Sequence, residues 1–215
     1  MSFEQKGQYR WVVCALLFFA TTVNYIDRQI LALIKEFLDA ELGWSNATFG
    51  WVNGAFQLSY AVGLLFFGWF VDRFGTKIGY ATSIVLWSIA AMSHALVGSV
   101  NGFFAARVFL GVSEGGNFPA AIKAVALWFP KKERAFATAL FNAGTNVGAI
   151  IAPAMIPAIA LTFGWRWAFI LAGLAGFVWL FFWFPMYDVP EKRKGLTRAE
   201  FELIHSDKDE GGIGG

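Results

Sequence analysis

The sequence GWFVDRFGTKIG, residues 68–79, joins two apolar stretches of the chain through a short charged segment. Asp72 and Arg73 follow the first apolar stretch, and Lys77 precedes the second. Gly75 lies between them, and glycine is the residue that most readily adopts the backbone conformation of a tight reversal. By residue type alone, the segment is a positively charged turn between two helices. The length of those helices decides whether the turn belongs to a soluble or a membrane-spanning protein.

Apolar runs of membrane-spanning length lie on both sides of this turn. The 215-residue chain is 57% apolar, 18% aromatic and only 15% charged, with a mean hydropathy of +0.54, which excludes an ordinary soluble domain. A helix that crosses a bilayer needs roughly 20 apolar residues. Six runs meet this requirement, at residues 11–34, 47–71, 78–97, 102–129, 135–163 and 165–186. The sequence therefore predicts an all-α membrane protein in which residues 11–186 form a six-helix transmembrane bundle.

The distribution of basic residues predicts the orientation of the bundle, because lysine and arginine accumulate in cytoplasmic loops. Of the 17 such residues, twelve flank the spans on one side of the membrane, two lie on the other side, and three fall within the spans. Both ends of the chain are therefore expected in the cytoplasm, with residues 1–10 as the amino-terminal segment and 187–215 as a truncated linker. The three basic residues within the spans, Arg28, Arg107 and Lys123, need another explanation.

The charged turn has a spacing that resembles a known family. Read from Gly68, it follows the pattern G-x-x-x-D-R-x-G-x-K and resembles the signature loop of the major facilitator superfamily of secondary transporters, except that Thr76 stands where many members carry another basic residue. Residues 107–153 and the segment GWRWAFI at 164–170 resemble the anion:cation symporter branch of that superfamily. Taken with NYIDRQ and DRFGTKIGYA, they are most similar to its bacterial hexuronate and sugar-acid transporters, over about residues 10–204.

The resemblance implies a fold and a set of partners. Transporters of this superfamily contain two six-helix halves, each a pair of inverted three-helix repeats, with the substrate held between the halves. The chain covers only the amino-terminal half, so the implied partners are a missing carboxy-terminal half or a second copy, the lipid bilayer, a small-molecule sugar acid and a proton. The polar, glycine-rich tail HSDKDEGGIGG, residues 205–215, is typical of a flexible linker or of an irregular truncation.

The activity that the resemblance implies is proton-coupled symport of a hexuronate or related sugar acid across the inner membrane. Two alternatives are a non-transporting half-length fragment or accessory subunit, and an uncoupled organic-anion facilitator. Uptake driven by an inward proton gradient favours the symporter, gradient-independent flux favours the facilitator, and no flux without a complementary half favours the fragment.

The stretch TTVNYIDRQILALI, residues 21–34, places Asp27 and Arg28 inside the first span, where each charge costs a few kcal/mol. On a helix, Asn24, Tyr25 and Arg28 share a face. Asp27 is turned by about 100° from Arg28, so the two charges are expected to contact different neighbours. Arg28 offers a fixed fork of donors suited to a carboxylate, unless it snorkels to the interface or merely pairs with Asp27. The resemblance implies that Arg28 binds the substrate carboxylate, with Tyr25 and Tyr60 supplying hydroxyls to the sugar acid.

A second set of charges lies on the fourth span. Arg107 and Glu114 are separated by two helical turns and so share a face, with Gly111 between them. Gly111, Gly115 and Gly116 permit the close approach of another helix. The resemblance implies that Asp27 and Glu114 bind the coupling proton and that Arg107 is the partner of one of them. The alternative is a static salt-bridge network that holds the helices together.

Polar and aromatic residues elsewhere in the spans give less specific signals. Asn142, Thr145 and Asn146 share one face of the fifth span, where they would hydrogen-bond either to sugar hydroxyls or to a neighbouring helix. The tryptophans of the sixth span fit the aromatic belts of a membrane interface. These residues are Trp165, Trp167, Trp179 and Trp183.

The remaining residues predict neither an enzyme nor a cofactor. The single cysteine, Cys14, forbids an internal disulfide, and two histidines, His94 and His205, provide no metal-ligand cluster. The sequence contains no phosphate-binding glycine loop with its lysine and no nucleophile elbow. Its basic residues follow membrane topology rather than a nucleic-acid surface, so no nucleic-acid partner is predicted.

Overall fold

The computed structural model describes residues 7–209, and this part of the chain is almost entirely helical. Its α-helices are α1 (Tyr9–Leu33), α2 (Lys35–Leu42), α3 (Asn46–Phe74), α4 (Thr76–Ser93), α5 (Val100–Glu114), α6 (Asn117–Trp128), α7 (Lys131–Phe163), α8 (Arg166–Met186) and α9 (Arg198–Asp209). Short 3-10 turns follow α4 at His94–Leu96 and precede α9 at Pro190–Lys192.

Five helices in the described residues are long and apolar enough to cross a membrane: α1, α3, α4 with its 3-10 extension, α7 and α8. They coincide with five of the six predicted spans. The fourth predicted span is divided into α5 and α6 at Gly115 and Gly116, where glycine weakens the helix. Both glycines keep right-handed helical backbone angles, with φ of −55° and −79°, so the chain does not reverse at the break. The predicted six-span, all-α fold is confirmed, with an interrupted fourth span.

Three helix pairs make the most extensive contacts: α1 with α7, α3 with α5, and α4 with α8. With α5 and α6 counted as the fourth span, exchanging the first three spans for the last three converts the α1–α7 pair into the α3–α5 pair. The same exchange converts the α4–α8 pair into itself. This is the packing expected of two three-helix repeats related by a two-fold axis.

The interior has a polar layer between two apolar clusters. One cluster contains the first half of α1 together with residues of α4, α6 and the end of α8. The other contains the last turn of α1, the start of α5, the end of α7 and the start of α8. Along α1 the first cluster ends at Ala20 and the second begins at Ile30. The buried polar residues of α1 between them are Thr21, Thr22, Asn24 and Asp27.

Three of the four tryptophans predicted for an interfacial belt are buried in the bundle instead. Trp165, Trp179 and Trp183 are 4%, 5% and 0% exposed. The indole nitrogen of Trp165 donates to Glu41 Oε2 at 2.6 Å, and those of Trp179 and Trp183 donate to the main-chain carbonyls of Leu16 at 2.8 Å and Lys77 at 3.1 Å. A buried indole is tolerated when its N–H finds an acceptor, so the belt prediction was wrong for these three residues.

The segment after α8 returns to the starts of α1 and α7 through three charged residues, here called the end cluster: Arg10, Glu133 and Glu200. Arg10 Nε donates to Glu133 Oε2 at 2.9 Å. Glu200 Oε1 accepts from the main-chain N–H of Arg10 at 2.9 Å, and so satisfies a free donor in the first turn of α1. The tail predicted to be flexible starts within α9, at His205, and residues 210–215 lie outside the described part of the chain.

Candidate functional site

Four charged residues on α1 and α5 meet in the polar layer and are here called the deep cluster: Asp27, Arg28, Arg107 and Glu114. Asp27 and Glu114 are 0% exposed, and Arg107 is 1% exposed. The side chain of Arg28 is 26% exposed and is the only one of the four that reaches the surface of this bundle. Arg107 lies close enough to the other three to interact with each electrostatically. The structure therefore brings together the two acids and two arginines singled out from the sequence.

Glycines on α5 allow α3 to approach the deep cluster closely. A β-carbon on Gly111 would overlap the hydroxyl of Ser59 and lie 2.6 Å from the carbonyl oxygen of Phe56. A β-carbon on Gly115 would overlap the main chain at Gly63. The predicted close approach at these glycines is present, and α3 is the helix that makes it.

Arg28 is held by an acid and an aromatic ring. Its Nε donates to Glu114 Oε2 at 2.7 Å, the length of a strong charge-assisted hydrogen bond. Its guanidinium carbon lies 4.2 Å from the ring centroid of Tyr60, within cation–π range. The ion pair that the structure gives Arg28 is with Glu114 on α5, rather than with its neighbour Asp27.

Three side chains of the deep cluster have polar atoms that could still form hydrogen bonds. Both carboxylate oxygens of Asp27, Nε and Nη2 of Arg107, and Oε1 of Glu114 are buried without a hydrogen-bond partner. Within residues 7–209, no ion pair within 4 Å involves Asp27 or Arg107. These charges have already lost their hydration in the folded bundle. Binding a proton or an anion, or forming a new ion pair, therefore adds little further desolvation free energy.

The remaining predicted ligands lie on α1 and α7. Tyr25 on α1 is half-buried, as is Asn142 on α7, whereas Asn146 is exposed. A β-carbon on Gly148 would lie 3.1 Å from that of Tyr25, so the polar face of α7 runs beside α1 at this level. In the described residues, no hydrogen bond joins Asn142 or Asn146 to the deep cluster.

Phe56 is a residue of the site that the sequence reasoning missed. The guanidinium carbons of Arg28 and Arg107 each lie 5.5 Å from the centroid of its ring. An apolar residue in an apolar span has nothing in the sequence that marks it as part of a charged site. The available clue was spacing, since Phe56 precedes Tyr60 by one helical turn and therefore shares its face.

A sequence profile described as Major Facilitator Superfamily matches residues 17–209 of this chain. The chain belongs to the major facilitator superfamily. Membership confirms the prediction made from the charged turn and identifies the chain as an integral membrane protein of a transporter family.

Solved structures of major facilitator proteins share the fold. A bacterial homologue of the human lysosomal transporter Spinster, in an inward-facing conformation, superimposes with a TM-score of 0.76 at 22% identity over 86% of this chain and 46% of that one. The proton:xylose symporter with bound 6-bromo-6-deoxy-D-glucose gives a TM-score of 0.76 at 15% identity over 92% of this chain and 49% of that one.

Relatives with assigned substrates are similar in sequence. The chain is 36% identical over 195 residues to the hexuronate transporter of Escherichia coli (strain K12), covering 91% of this chain and 45% of that protein. It is 31% identical over 207 residues to the galacturonate transporter of Dickeya chrysanthemi, covering 96% of this chain and 60% of that protein. The chain therefore spans about half the length of the relatives it matches.

The turn between α3 and α4 contains the residues that resemble the superfamily's signature loop. Gly75 has a φ of 83°, a conformation that other residues rarely adopt. Asp72 pairs with Lys123 of α6 at 2.7 Å, and Lys77 pairs with Asp188 after α8 at 3.1 Å. Two ion pairs thus connect α3 to α6, and α4 to the segment that follows α8. This pairing also accounts for Lys123, one of the three basic residues within the predicted spans.

Proposed function

We propose that this chain is the amino-terminal half of a proton-coupled symporter of hexuronates or related sugar acids. Relatives named for hexuronate and galacturonate transport match more than nine-tenths of the chain, which supports a sugar acid as the substrate class. In this proposal the protein lies in the inner membrane, and the excess of basic residues on one side supports an orientation with both ends in the cytoplasm.

The observation that carries the proposal is the setting of Arg28. It is the one partly exposed member of an otherwise buried charge cluster, and Glu114 and Tyr60 fix its orientation. A fixed guanidinium fork at the edge of a half-dry cavity is suited to a carboxylate. We assign Arg28 to the substrate carboxylate. Side chains that would reach the sugar hydroxyls are Tyr25, Tyr60, Asn142 and Asn146.

Proton coupling follows from competition for Arg28. The carboxylate of Glu114 and the carboxylate of an incoming sugar acid require the same guanidinium. Protonation of Glu114 weakens its ion pair and frees Arg28, so a proton and a substrate anion bind together, as symport requires. Asp27 is the second proton site in this proposal, with Arg107 as the cation that accepts its charge when the proton leaves.

The half-length match favours a second statement about the 215-residue chain. Alternating access needs two halves that rock around a shared site, and an uncovered half leaves Arg28 facing lipid, which is costly. We propose that the chain alone gives no coupled uptake and that its folded form in detergent is a dimer or larger. Chromatography with light scattering tests the second point, and a stable monomer would contradict it.

The test uses a two-half protein. It contains this chain joined to the carboxy-terminal half encoded by its own reading frame or, if that frame ends at residue 215, to that of the E. coli hexuronate transporter. Proteoliposomes with an inward proton gradient should accumulate labelled galacturonate, and a protonophore should abolish accumulation. Flux that ignores the gradient would identify a facilitator, and no flux of any sugar acid would contradict the transport proposal.

A further inference from the structure

Phe56 contacts both arginines of the deep cluster, but the two differ in what else holds them. The ring is 4% exposed and lies 5.5 Å from each guanidinium carbon. Arg28 also has the carboxylate of Glu114 and the ring of Tyr60. Arg107 is 1% exposed, and its Nε and Nη2 donate no hydrogen bond. The Phe56 ring therefore matters more to Arg107 than to Arg28.

Asp27 faces three charged groups, Glu114, Arg107 and Arg28. The charged groups that face Arg107 come from three elements. Asp27 and Arg28 approach from α1, Glu114 belongs to α5 itself, and His94 approaches from the end of α4. Glu114 already pairs with Arg28, and His94 uses Nδ1 at the carbonyl oxygen of Ala90 at 2.8 Å. Asp27 is thus the acid without a partner that is close to an arginine without a partner.

The main chain that carries the Phe56 ring is rigidly placed. Its carbonyl oxygen accepts a hydrogen bond from the hydroxyl of Ser59 at 3.0 Å and lies against Gly111 of α5. The ring also stacks on Tyr60, with centroids 6.0 Å apart and planes 16° apart. The helix cannot move away without disturbing the α3–α5 contact, so the ring stays beside Arg107.

We propose that Phe56 is a positioning residue whose ring keeps the Arg107 guanidinium near Asp27 but out of hydrogen-bonding contact with it, and so sets the pH at which Asp27 takes up its proton. An aromatic face attracts a desolvated guanidinium without neutralising it. Arg107 is thereby stabilised at a position from which it acts on Asp27 electrostatically but forms neither a hydrogen bond nor an ion pair within 4 Å with it. Removal of the ring lets the guanidinium move toward Asp27, which favours the charged carboxylate.

The proposal rests on the proposed role of Asp27 as a proton site, and its test is independent of transport. Infrared titration of the two-half protein follows the protonated-carboxyl band that Asp27→Asn removes. In Phe56→Leu, which lacks the ring but remains apolar, we expect the pH midpoint of this band to fall by roughly 0.5–1 unit. Phe56→Tyr keeps the aromatic face and should keep the wild-type midpoint.

The control for ring loss is Phe67→Leu, since Phe67 is on the same helix and 1% exposed, but no arginine in residues 7–209 lies over its ring. Its midpoint should equal that of the wild type. Should Phe56→Leu fail to fold, Phe56→Met provides a second variant without a ring. An unchanged or raised midpoint in the ring-free variant overturns the role of Phe56, whatever the uptake assay shows. Absence of sugar-acid uptake in the wild type overturns only the proposed function.

Discussion

The deep cluster and the end cluster both bury charges, but they treat hydrogen bonds in opposite ways. In the end cluster, Arg10 donates through Nε and Nη2 to Glu133 and through Nη1 to Gly7 and Glu200. In the deep cluster, five buried polar atoms on three side chains have no partner.

The difference separates a role in stabilising the fold from the role in transport that we propose. A buried charge that serves stability is best placed when all its donors and acceptors are used, because any unfilled one adds a desolvation cost. A charge that must exchange partners during a cycle cannot have all of them filled. The end cluster fits the first description, and the deep cluster fits the second.

The sharpest way to break this comparison is to remove Arg28. In the two-half protein, Arg28→Ala should lower sugar-acid uptake by roughly 30-fold or more, because truncating one partner of a buried charge pair costs 2–5 kcal/mol. Arg28→Lys should be intermediate, since a point charge replaces a fork. Initial uptake rates of labelled galacturonate, normalised to folded protein, give the measurement.

The matched control for Arg28 is Arg166→Ala, which removes an arginine whose side chain is 44% exposed and paired at the surface. It should transport like the wild type. Normal uptake by Arg28→Ala would contradict the proposal that Arg28 binds the substrate carboxylate. It would also contradict the proposed role of the deep cluster in transport.

Neutralising the two deep acids should have the next largest effect. Asp27→Asn and Glu114→Gln each keep the side-chain volume but cannot cycle between charged and neutral forms, so accumulation driven by a proton gradient should be lost. Counterflow, which needs no net proton movement, should partly survive. The two assays are run on the same vesicles. If both variants still accumulate substrate against a gradient, the acids belong to a static network.

The end cluster should respond in stability instead of in transport. Glu200→Ala removes a buried acceptor from two donors of Arg10 and should lower the free energy of unfolding by about 1–3 kcal/mol. Uptake per folded molecule should not change. On the same helix, Glu202→Ala removes a carboxylate that is 63% exposed, so its unfolding midpoint should match that of the wild type. Lost coupling in Glu200→Ala at normal stability would place the end cluster in the transport cycle.

The sequence predicted best where one property decides the outcome. Run length located the spans, and the small residues Gly111 and Gly115 located a close helix crossing, because both depend on side-chain size and hydropathy alone. Helix rotation correctly indicated that Asp27 and Arg28 address different neighbours. It could not show that Glu114 is the partner of Arg28, because that depends on the relative height of two helices.

The features missed by the sequence depend on tertiary packing. Trp179 and Trp183 have the composition of belt residues, and only the carbonyls supplied by other helices make their burial favourable. In the sequence, Phe56 cannot be distinguished from a phenylalanine that faces lipid. Only the structure shows that the guanidinium groups of two arginines lie beside its ring. Glu200 sits in a polar segment typical of a linker, and its burial depends on Arg10, which is distant in the sequence.

The smallest effect is expected at Glu41, in an exposed charge pair at the opposite end of the bundle from the end cluster. Hydrogen bonds from Trp165 Nε1 at 2.6 Å and Arg166 Nη2 at 2.9 Å hold the pKa of Glu41 below its usual range. A carboxyl with a lowered pKa in the folded state stabilises the fold above its unfolded pKa, and this contribution is lost as the pH falls through the lowered pKa. Glu41→Gln should therefore reduce stability slightly at neutral pH, by at most about 1 kcal/mol for a surface pair, and the difference from the wild type should vanish in strong acid. Thermal unfolding midpoints across this pH range give the measurement, and a difference that persisted in acid would show that the charge of Glu41 does not carry the contribution.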